Sequence, residues 1–423
     1  MMSAGAEGGS FSVRGWIYRT RSSGAIVFAV LRDSTGIVQC TVKKSGVPPG
    51  DFIQAGKALI ESSAECTGHL KADARAPGGY ELVADAFSVV SFAEPFPITE
   101  NQSESFLLDN RHLWIRSREQ TAIMKVKETV LYGAREWFSE NGFCEVTPPV
   151  LTTNACEGGT TLFPLKYFDQ DAYLSQSAQM YLEALTFSLE RVFALTPSFR
   201  AEKSRTPRHL AEYWHLEGEA AWVNNEGNMR VQEELLSHIV RLVLSRRKEE
   251  LSLLKRDASC LKEVEPPFER LTYDKALKLL SERGMNVKWG DDFGTQEETA
   301  LTLDGLKPIF VTDFPKEIKA FYMKENESDG RTYSCADLIA PEGFGEIIGG
   351  SERETDVRKL AMRMEEQSIP VEPYRWYLDL RRYGSVPHSG FGLGVERLVK
   401  WICKLDHIRD AVPFPRTPSR IYP

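Results

Sequence analysis

Residues 199–213 of this 423-residue chain read Phe-Arg-Ala-Glu-Lys-Ser-Arg-Thr-Pro-Arg-His-Leu-Ala-Glu-Tyr, with four cationic side chains, one histidine and two carboxylates in fifteen positions. A guanidinium grips phosphate or carboxylate through two parallel hydrogen bonds, so such a run suits an anionic ligand, a polyphosphate above all. A solvated charged hairpin tip would carry the same composition, and the flanks must decide between the two. They are the apolar stretch Arg191–Phe199 and a second, Tyr213–Trp222, that reads as a strand with some acidic side chains. Two strands joined by a long cationic loop give a polyphosphate a rigid base and a lid.

A chain of 423 residues needs two or three domains to position that loop. With 42% hydrophobic and 26% charged residues it has the composition of an ordinary soluble protein. No stretch approaches the apolar length of a membrane span, and the first ten residues lack a basic start and an apolar core. The protein is therefore expected in the cytoplasm. Seven cysteines (40, 66, 144, 156, 260, 335 and 403) lie far apart without a Cys-x-x-Cys pair, which predicts reduced thiols rather than a zinc site or disulfide framework. A net charge of −8 argues against a coat of positive charge for holding nucleic acid indiscriminately, but leaves room for a local basic surface that reads RNA.

Residues 11 to about 92 read as short strands: Ser12–Tyr18, which alternates, the buried strand Ala25–Leu31, then Ile37–Val42, Ala58–Thr67 and Tyr80–Val90, with a helical interruption near 47–57. That pattern fits a five-stranded Greek-key barrel of the OB type. Residues 93–116 form a linker or hinge, and from 117 to 423 the texture changes to helices and strands without a regular βαβ rhythm. The expected class is α+β, with an antiparallel sheet flanked by helices. Arg118–Asn141 reads as a long amphipathic helix stopped by Asn141-Gly142, and Gln232–Leu254, rich in arginine at its middle, as a second long helix, an edge element or an insertion.

Three stretches together carry a family resemblance. Gly142-Phe-Cys-Glu-Val-Thr-Pro-Pro149, the 199–213 run with its strands, and Gly390-Phe-Gly-Leu-Gly-Val-Glu-Arg-Leu398 resemble, in order, motifs 1, 2 and 3 of the class II aminoacyl-tRNA synthetases. Behind an OB barrel they match the aspartate/asparagine/lysine subclass over nearly the whole chain. Within it, Arg111-His-Leu-Trp-Ile-Arg116, Glu157-Gly-Gly-Thr160, Gln176-Ser-Ala-Gln-Met-Tyr-Leu-Glu183, Gly345-Glu-Ile-Ile-Gly-Gly-Ser351 and Trp376–Gly384 are similar to the asparaginyl-tRNA synthetases.

The resemblance implies ATP-dependent activation of L-asparagine and its transfer to tRNA(Asn), with Mg²⁺ and a homodimer, and no membrane or DNA partner. It implies that Arg200 bridges the α-phosphate and the substrate carboxylate. Arg397 lies against the adenine and holds the far phosphates, and Glu202 accepts from the adenine amino group. Arg208 and His209 steady the bent triphosphate or the arriving acceptor end, Gly394 lets the backbone approach the nucleotide, and Asp337 and Glu346 are the Mg²⁺ candidates. Gly349 stands where archaeal aspartyl members place a serine ligand. Glu157 receives the substrate ammonium with Gln179 nearby, and Pro149 ends the motif that builds the dimer interface.

For the substrate side chain, Glu217 can accept from a carboxamide NH₂ and Arg353 can donate to its oxygen. Aspartyl members place a lysine where this chain has Leu182, and leucine cannot neutralise a second carboxylate. On the barrel, Phe28 and Gln39 match the pattern for a middle anticodon uracil, a ring for stacking and an amide for reading the edge, with Arg19, Arg21 and Glu81 on the same surface. The alternatives are an aspartyl-tRNA synthetase charging one or both tRNAs, an asparagine-making paralogue and a non-catalytic pseudo-synthetase. The last requires decay of Arg200, Glu202 or Arg397, and all three are present.

Overall fold

The computed structural model describes residues 7–156, 162–203, 206, 208–303 and 305–423. The chain falls into two units, Met1–Leu107 and Leu108–Pro423. In the first, strict alternation decides the architecture, because successive strand residues point to opposite faces. Strands β1 (Ser10–Ser23), β2 (Ile26–Arg32), β3 (Ile37–Lys43), β4 (Ser63–Ala72) and β5 (Tyr80–Ser91) close into a barrel in the order β1-β2-β3-β5-β4. Ile17, Val27, Ala29, Leu31, Cys40, Val42, Leu82 and Phe87 fill its interior. The fourth strand starts five residues later than its sequence suggests, because Glu61 and Ser62 turn the chain: the N–H of Glu61 bonds the Ile17 carbonyl, and the Ile17 N–H bonds the carbonyl of Ser62.

In the second unit the strands are β6 (Cys144–Glu145), β7 (Leu151–Thr152), β8 (Pro164–Tyr167), β9 (Gln170–Leu174), β10 (Arg191–Phe199), β11 (Glu212–Ala221), β12 (Glu269–Thr272), β13 (Ile309–Thr312), β14 (Cys335–Ala340), β15 (Gly345–Glu352) and β16 (His388–Gly394). Eight of them form one sheet in the order β12-β13-β14-β15-β16-β11-β10-β6, and β7-β9-β8 form a small separate sheet. The large sheet is antiparallel from β13 to β10, as expected, but its outermost pairs, β12 with β13 and β6 with β10, are parallel. The helix Arg118–Glu140 is capped by Ser117, which accepts from the Gln120 N–H, and is followed by Gly142 at φ +77°. That left-handed turn suits glycine.

The segment expected as one edge helix over 232–254 is two helices, Asn225–Arg246 and Lys248–Leu253. The first is central: its stripe of Leu235, Leu236, Ile239, Val240 and Val243 is buried in the main core with Val126, Val130 and Phe138 of the first long helix and Leu398, Val399 and Trp401 of the helix Val395–Cys403. The arginines that suggested an edge position lie on its opposite side, as amphipathic packing requires. Alternation then sorts the central strands. Leu216 and Ala220 of β11 and Phe391 and Leu393 of β16 face this helical layer, which sends His215, Glu217 and Glu219 and the glycines 390, 392 and 394 to the other face. Among the described residues, no helix is long and apolar enough to cross a membrane.

Candidate active site

On that second face lies a cleft of about 630 Å³, a volume suited to a small ligand. Gln179, Arg200, Arg208, His209, Glu217, Asp337, Glu346, Arg353, Gly394 and Arg397 all line it. They come from the loop and the second strand of the 191–221 hairpin, from β14, from β15 and the residue after it, from the helix Gln179–Leu189, from the end of β16 and from the start of the helix Val395–Cys403. Glu202 is half-buried just beyond Arg200 but is not among the lining residues. Glu157 falls outside the described residues.

One end of the cleft is cationic. The Arg397 guanidinium donates 3.1 Å bonds to both the backbone carbonyl and a carboxylate oxygen of Glu346. Burial would raise the Glu346 carboxyl, but Arg397, Lys319 and Arg200 hold it down at about 2. Burial lowers the His209 imidazole to about 4, and Arg397, Arg200 and Arg208 push the same way. His209 is thus a neutral hydrogen-bonding group near neutral pH, not a fourth cation. Arg208 reaches the helix Thr295–Leu301, where it pairs with Glu298 and donates to the Thr295 hydroxyl at 2.9 Å and the Phe344 carbonyl at 3.1 Å. Its guanidinium fills the space beside Gly345, where a Cβ would fall 1.2 Å from a guanidinium nitrogen. At φ +77° the backbone here favours glycine, and a side chain would also displace the Arg208 guanidinium from its pair with Glu298.

Asp337 and Glu346 face each other across Gly349: a Cβ built there would lie 3.2 Å from a Glu346 oxygen and 3.6 Å from an Asp337 oxygen. Asp337 also pairs with Lys319, whose ammonium is held in its charged form by that carboxylate against burial. Two hard oxygen donors beside a gap fit a Mg²⁺ ion that completes its shell with phosphate and water. Among the described residues no group of three or more His, Cys, Asp or Glu is placed to hold a metal by protein ligands alone.

The other end is polar and buried. Glu217 is 3% exposed; one carboxylate oxygen accepts from the Ala178 N–H at 2.8 Å and the other from the Ser177 hydroxyl. Arg353, also 3% exposed, pairs with Glu219 through Nε and Nη2, donates from Nη1 to the Ser351 hydroxyl at 2.7 Å and stacks over Tyr322. Burial pushes the Glu219 carboxyl up; Arg353 opposes the rise and the neighbouring Glu183 carboxylate adds to it. Arg353 is thus already bonded to a carboxylate of the protein through two of its nitrogens where it meets the cleft. Leu182 is no part of the pocket wall. It is fully buried with Ala178, Val192 and Ala194, so the residue expected opposite the substrate side chain is a core leucine.

The motif 3 glycines give clearance inside the sheet. A Cβ on Gly390 would lie 2.1 Å from the Glu219 carboxylate and one on Gly392 2.4 Å from the His215 ring. These glycines make room for side chains of β11, their paired strand. Gly394 does line the cleft, but a Cβ there would meet Arg397 only at 3.4 Å, an ordinary contact.

Three site residues escaped the sequence reading. Glu219 carried a usable signal, since it sits two residues past Glu217 and so on the same strand face. Lys319 and Glu298 carried none, lying in the long stretch between the second and third motifs.

On the barrel, Arg21, Phe28 and Thr41 are register partners across β1, β2 and β3, and Arg19, Val30, Gln39 and Glu81 form the next row. Phe28 is half-buried on the outer face rather than in the core, with the Arg21 guanidinium 4.8 Å from its ring centre. Glu81 accepts from the Thr41 hydroxyl and from the Gln39 amide nitrogen at 3.3 Å. Pro149 is exposed in the connection from β6 to β7.

Comparison with known proteins shows the family. The family of class II tRNA synthetases (D, K and N) matches residues 103–418, and an OB-fold nucleic acid binding domain matches residues 11–90. The asparagine–tRNA ligase of Pyrococcus furiosus is 54% identical over 420 residues, covering 99% of this chain and 97% of the relative. The crystal structure of asparaginyl-tRNA synthetase from Pyrococcus horikoshii complexed with asparaginyl-adenylate superposes with a TM-score of 0.96 at 54% identity, covering 99% of this chain and 97% of that one. The Entamoeba histolytica asparaginyl-tRNA synthetase, also in complex with asparaginyl-adenylate, gives 0.90 at 32% identity, with 99% and 98% covered. The chain belongs to the class II tRNA synthetases of the D, K and N group and, within them, to the asparagine–tRNA ligases.

Proposed function

We propose that the cleft performs asparagine–tRNA ligation with the residues assigned as follows. The L-asparagine carboxylate attacks the α-phosphorus of ATP and the bond to the diphosphate leaving group breaks, giving asparaginyl-adenylate. A ribose hydroxyl of the terminal adenosine of tRNA(Asn) then attacks the adenylate carbonyl, and AMP leaves. Both partners in the first step are anions, so catalysis here is charge neutralisation and alignment rather than a covalent protein intermediate.

Arg200 lies between the α-phosphate and the substrate carboxylate. Arg397 holds the adenine side and the far phosphates, Arg208 and the neutral His209 steady the bent triphosphate, and Glu202 accepts from the adenine amino group. Gln179 and Glu157 take the substrate ammonium, while Glu217 and Arg353 take the two ends of the carboxamide. Asp337 and Glu346 would hold Mg²⁺, which when bound neutralises phosphate charge. The barrel face around Phe28, Gln39, Arg19 and Glu81 reads the anticodon. We further propose a homodimer joined through the motif 1 region, whose short strand β6 is exposed at the sheet edge and leads to Pro149, and a cytoplasmic location, in keeping with seven cysteines spread along the chain without a Cys-x-x-Cys pair.

The observation that carries the reading is a single cleft with cationic groups at one end and, at the other, Glu217 together with Arg353 in its ion pair with Glu219. ATP–diphosphate exchange with asparagine and aspartate side by side tests it. Exchange with asparagine is expected, and exchange with aspartate alone would overturn the assignment of the pocket.

A further inference from the structure

Beneath the amino-acid end of the cleft lies a buried carboxylate to which the reaction assigns no role. Glu183 follows Gln179 by one turn of the helix Gln179–Leu189, a spacing that stacks the two side chains. It has no exposed surface, and its Oε1 accepts from the Gln179 amide nitrogen at 3.0 Å. Its remaining capacity is taken by the Tyr377 hydroxyl at 2.8 Å, Arg381 Nη2 at 2.6 Å and His388 Nε2 at 3.1 Å. Those groups are themselves anchored: Arg381 Nε donates to the Glu354 carbonyl at 2.9 Å, and His388 Nδ1 meets the Val386 carbonyl at 2.7 Å.

A carboxylate only accepts hydrogen bonds, so Gln179 must turn its NH₂ group toward Glu183. Its carbonyl oxygen is then left for the cleft. An α-ammonium needs an acceptor there, and an amide turned the other way would point N–H groups at a cation.

We propose that Glu183 is the positioning residue for recognition of the substrate's α-ammonium, locking the Gln179 amide with its carbonyl oxygen toward the cleft. The inference rests on the reading that Gln179 faces the ammonium. Glu183 itself touches no substrate, and its effect passes through one side chain.

The test uses the full-length enzyme in ATP–diphosphate exchange, with succinamate (asparagine without its α-amino group) as a competing ligand. Glu183→Gln lets residue 183 donate as well as accept and frees the Gln179 amide to rotate. The KM for asparagine should rise about tenfold or more, the worth of one charge-assisted bond. The inhibition constant of succinamate and the KM for ATP should move less than about twofold. Glu183→Asp keeps the charge facing Arg381 and His388 but withdraws it from Gln179. It should show the same ammonium-selective loss, so the test survives if the glutamine variant does not fold. Exchanging the pair, Gln179→Glu with Glu183→Gln, should recover most of the asparagine KM.

Equal weakening of asparagine and succinamate would make Glu183 a structural residue and overturn the proposal. So would an unchanged asparagine KM in both single variants. Gln179→Leu separates the two claims. No effect there would refute the ammonium reading itself, whereas a loss there without one at Glu183 would refute only the positioning.

Discussion

Replacing Glu217 by glutamine should weaken asparagine activation and, more sharply, the discrimination against aspartate. The carboxylate is 3% exposed on β11 and uses one oxygen on the Ala178 N–H at 2.8 Å and the other on the Ser177 hydroxyl. Glutamine has the same shape but a single acceptor oxygen, which the Ala178 N–H will claim. The group offered to the substrate NH₂ then becomes a donor. Losing one hydrogen bond to a charged group is worth about 1.5–3 kcal/mol, which predicts a fall of roughly 10- to 150-fold in kcat/KM for asparagine. For aspartate the sign reverses, because two like charges about 4 Å apart repel by about 4 kcal/mol at the effective dielectric of a protein site, and that repulsion disappears. The assay is ATP–diphosphate exchange with each amino acid at saturating ATP, beside a melting curve to confirm the fold. A kcat/KM for asparagine within about threefold of the parent, with the asparagine-to-aspartate ratio unchanged, would show that Glu217 does not face the side chain and would refute the reasoning.

Three further outcomes follow from the same structure. Phe28→Ala should raise the KM for tRNA about tenfold, since stacking a base on an aromatic ring is worth ~1–3 kcal/mol, and should leave ATP–diphosphate exchange untouched; an unchanged KM for tRNA removes Phe28 from the RNA surface. Lys127→Met strands the buried Glu396, whose carboxylate accepts from Lys127 at 2.6 Å and from the Trp214 N–H at 2.9 Å. A loss of about 3–5 kcal/mol in urea unfolding is expected, and a loss below about 1 kcal/mol would rank this pair with surface bridges. Because burial and three neighbouring arginines lower His209 from 6.5 to about 4, the unfolded chain binds a proton in that window that the folded protein does not. Stability should therefore rise with pH through the window and be lost as pH falls through it, and His209→Asn should flatten that slope. Identical slopes for the two proteins would contradict the assignment of a neutral imidazole.

Much of this was legible in the chain because it depends on short segments. Alternation in Ser12–Tyr18, a continuous apolar run in Ala25–Leu31 and the turn that leads from it to Ile37–Val42 were enough to find three barrel strands, since such patterns are written residue by residue. The arginine-rich run and the flanking strands were enough to place the hairpin that carries Arg200, Arg208, His209 and Glu217. The start of the fourth barrel strand was misplaced because a turn at 61–62, held by bonds to Ile17, uses residues that read equally well as strand. The helix from 225 to 246 was read as peripheral because its arginines were visible, while the helices and sheet strands that bury its apolar stripe were not.

By itself the sequence determined which side-chain chemistry is at hand: cations suited to phosphate, carboxylates suited to a metal or an amine, and a barrel of the OB type. Only the tertiary structure decided which groups meet. Arg353 and Glu219 lie 134 residues apart and become a balanced pair because β15 and β11 both flank β16, on whose glycines a Cβ would collide with β11 side chains. Leu182, which the missing lysine had made a candidate for the pocket wall, belongs to the core. Side-chain chemistry and strand alternation are properties of a few consecutive residues. Strand order, register and the clearance beside a glycine are set by segments far apart in the chain, so they exist only once it has packed.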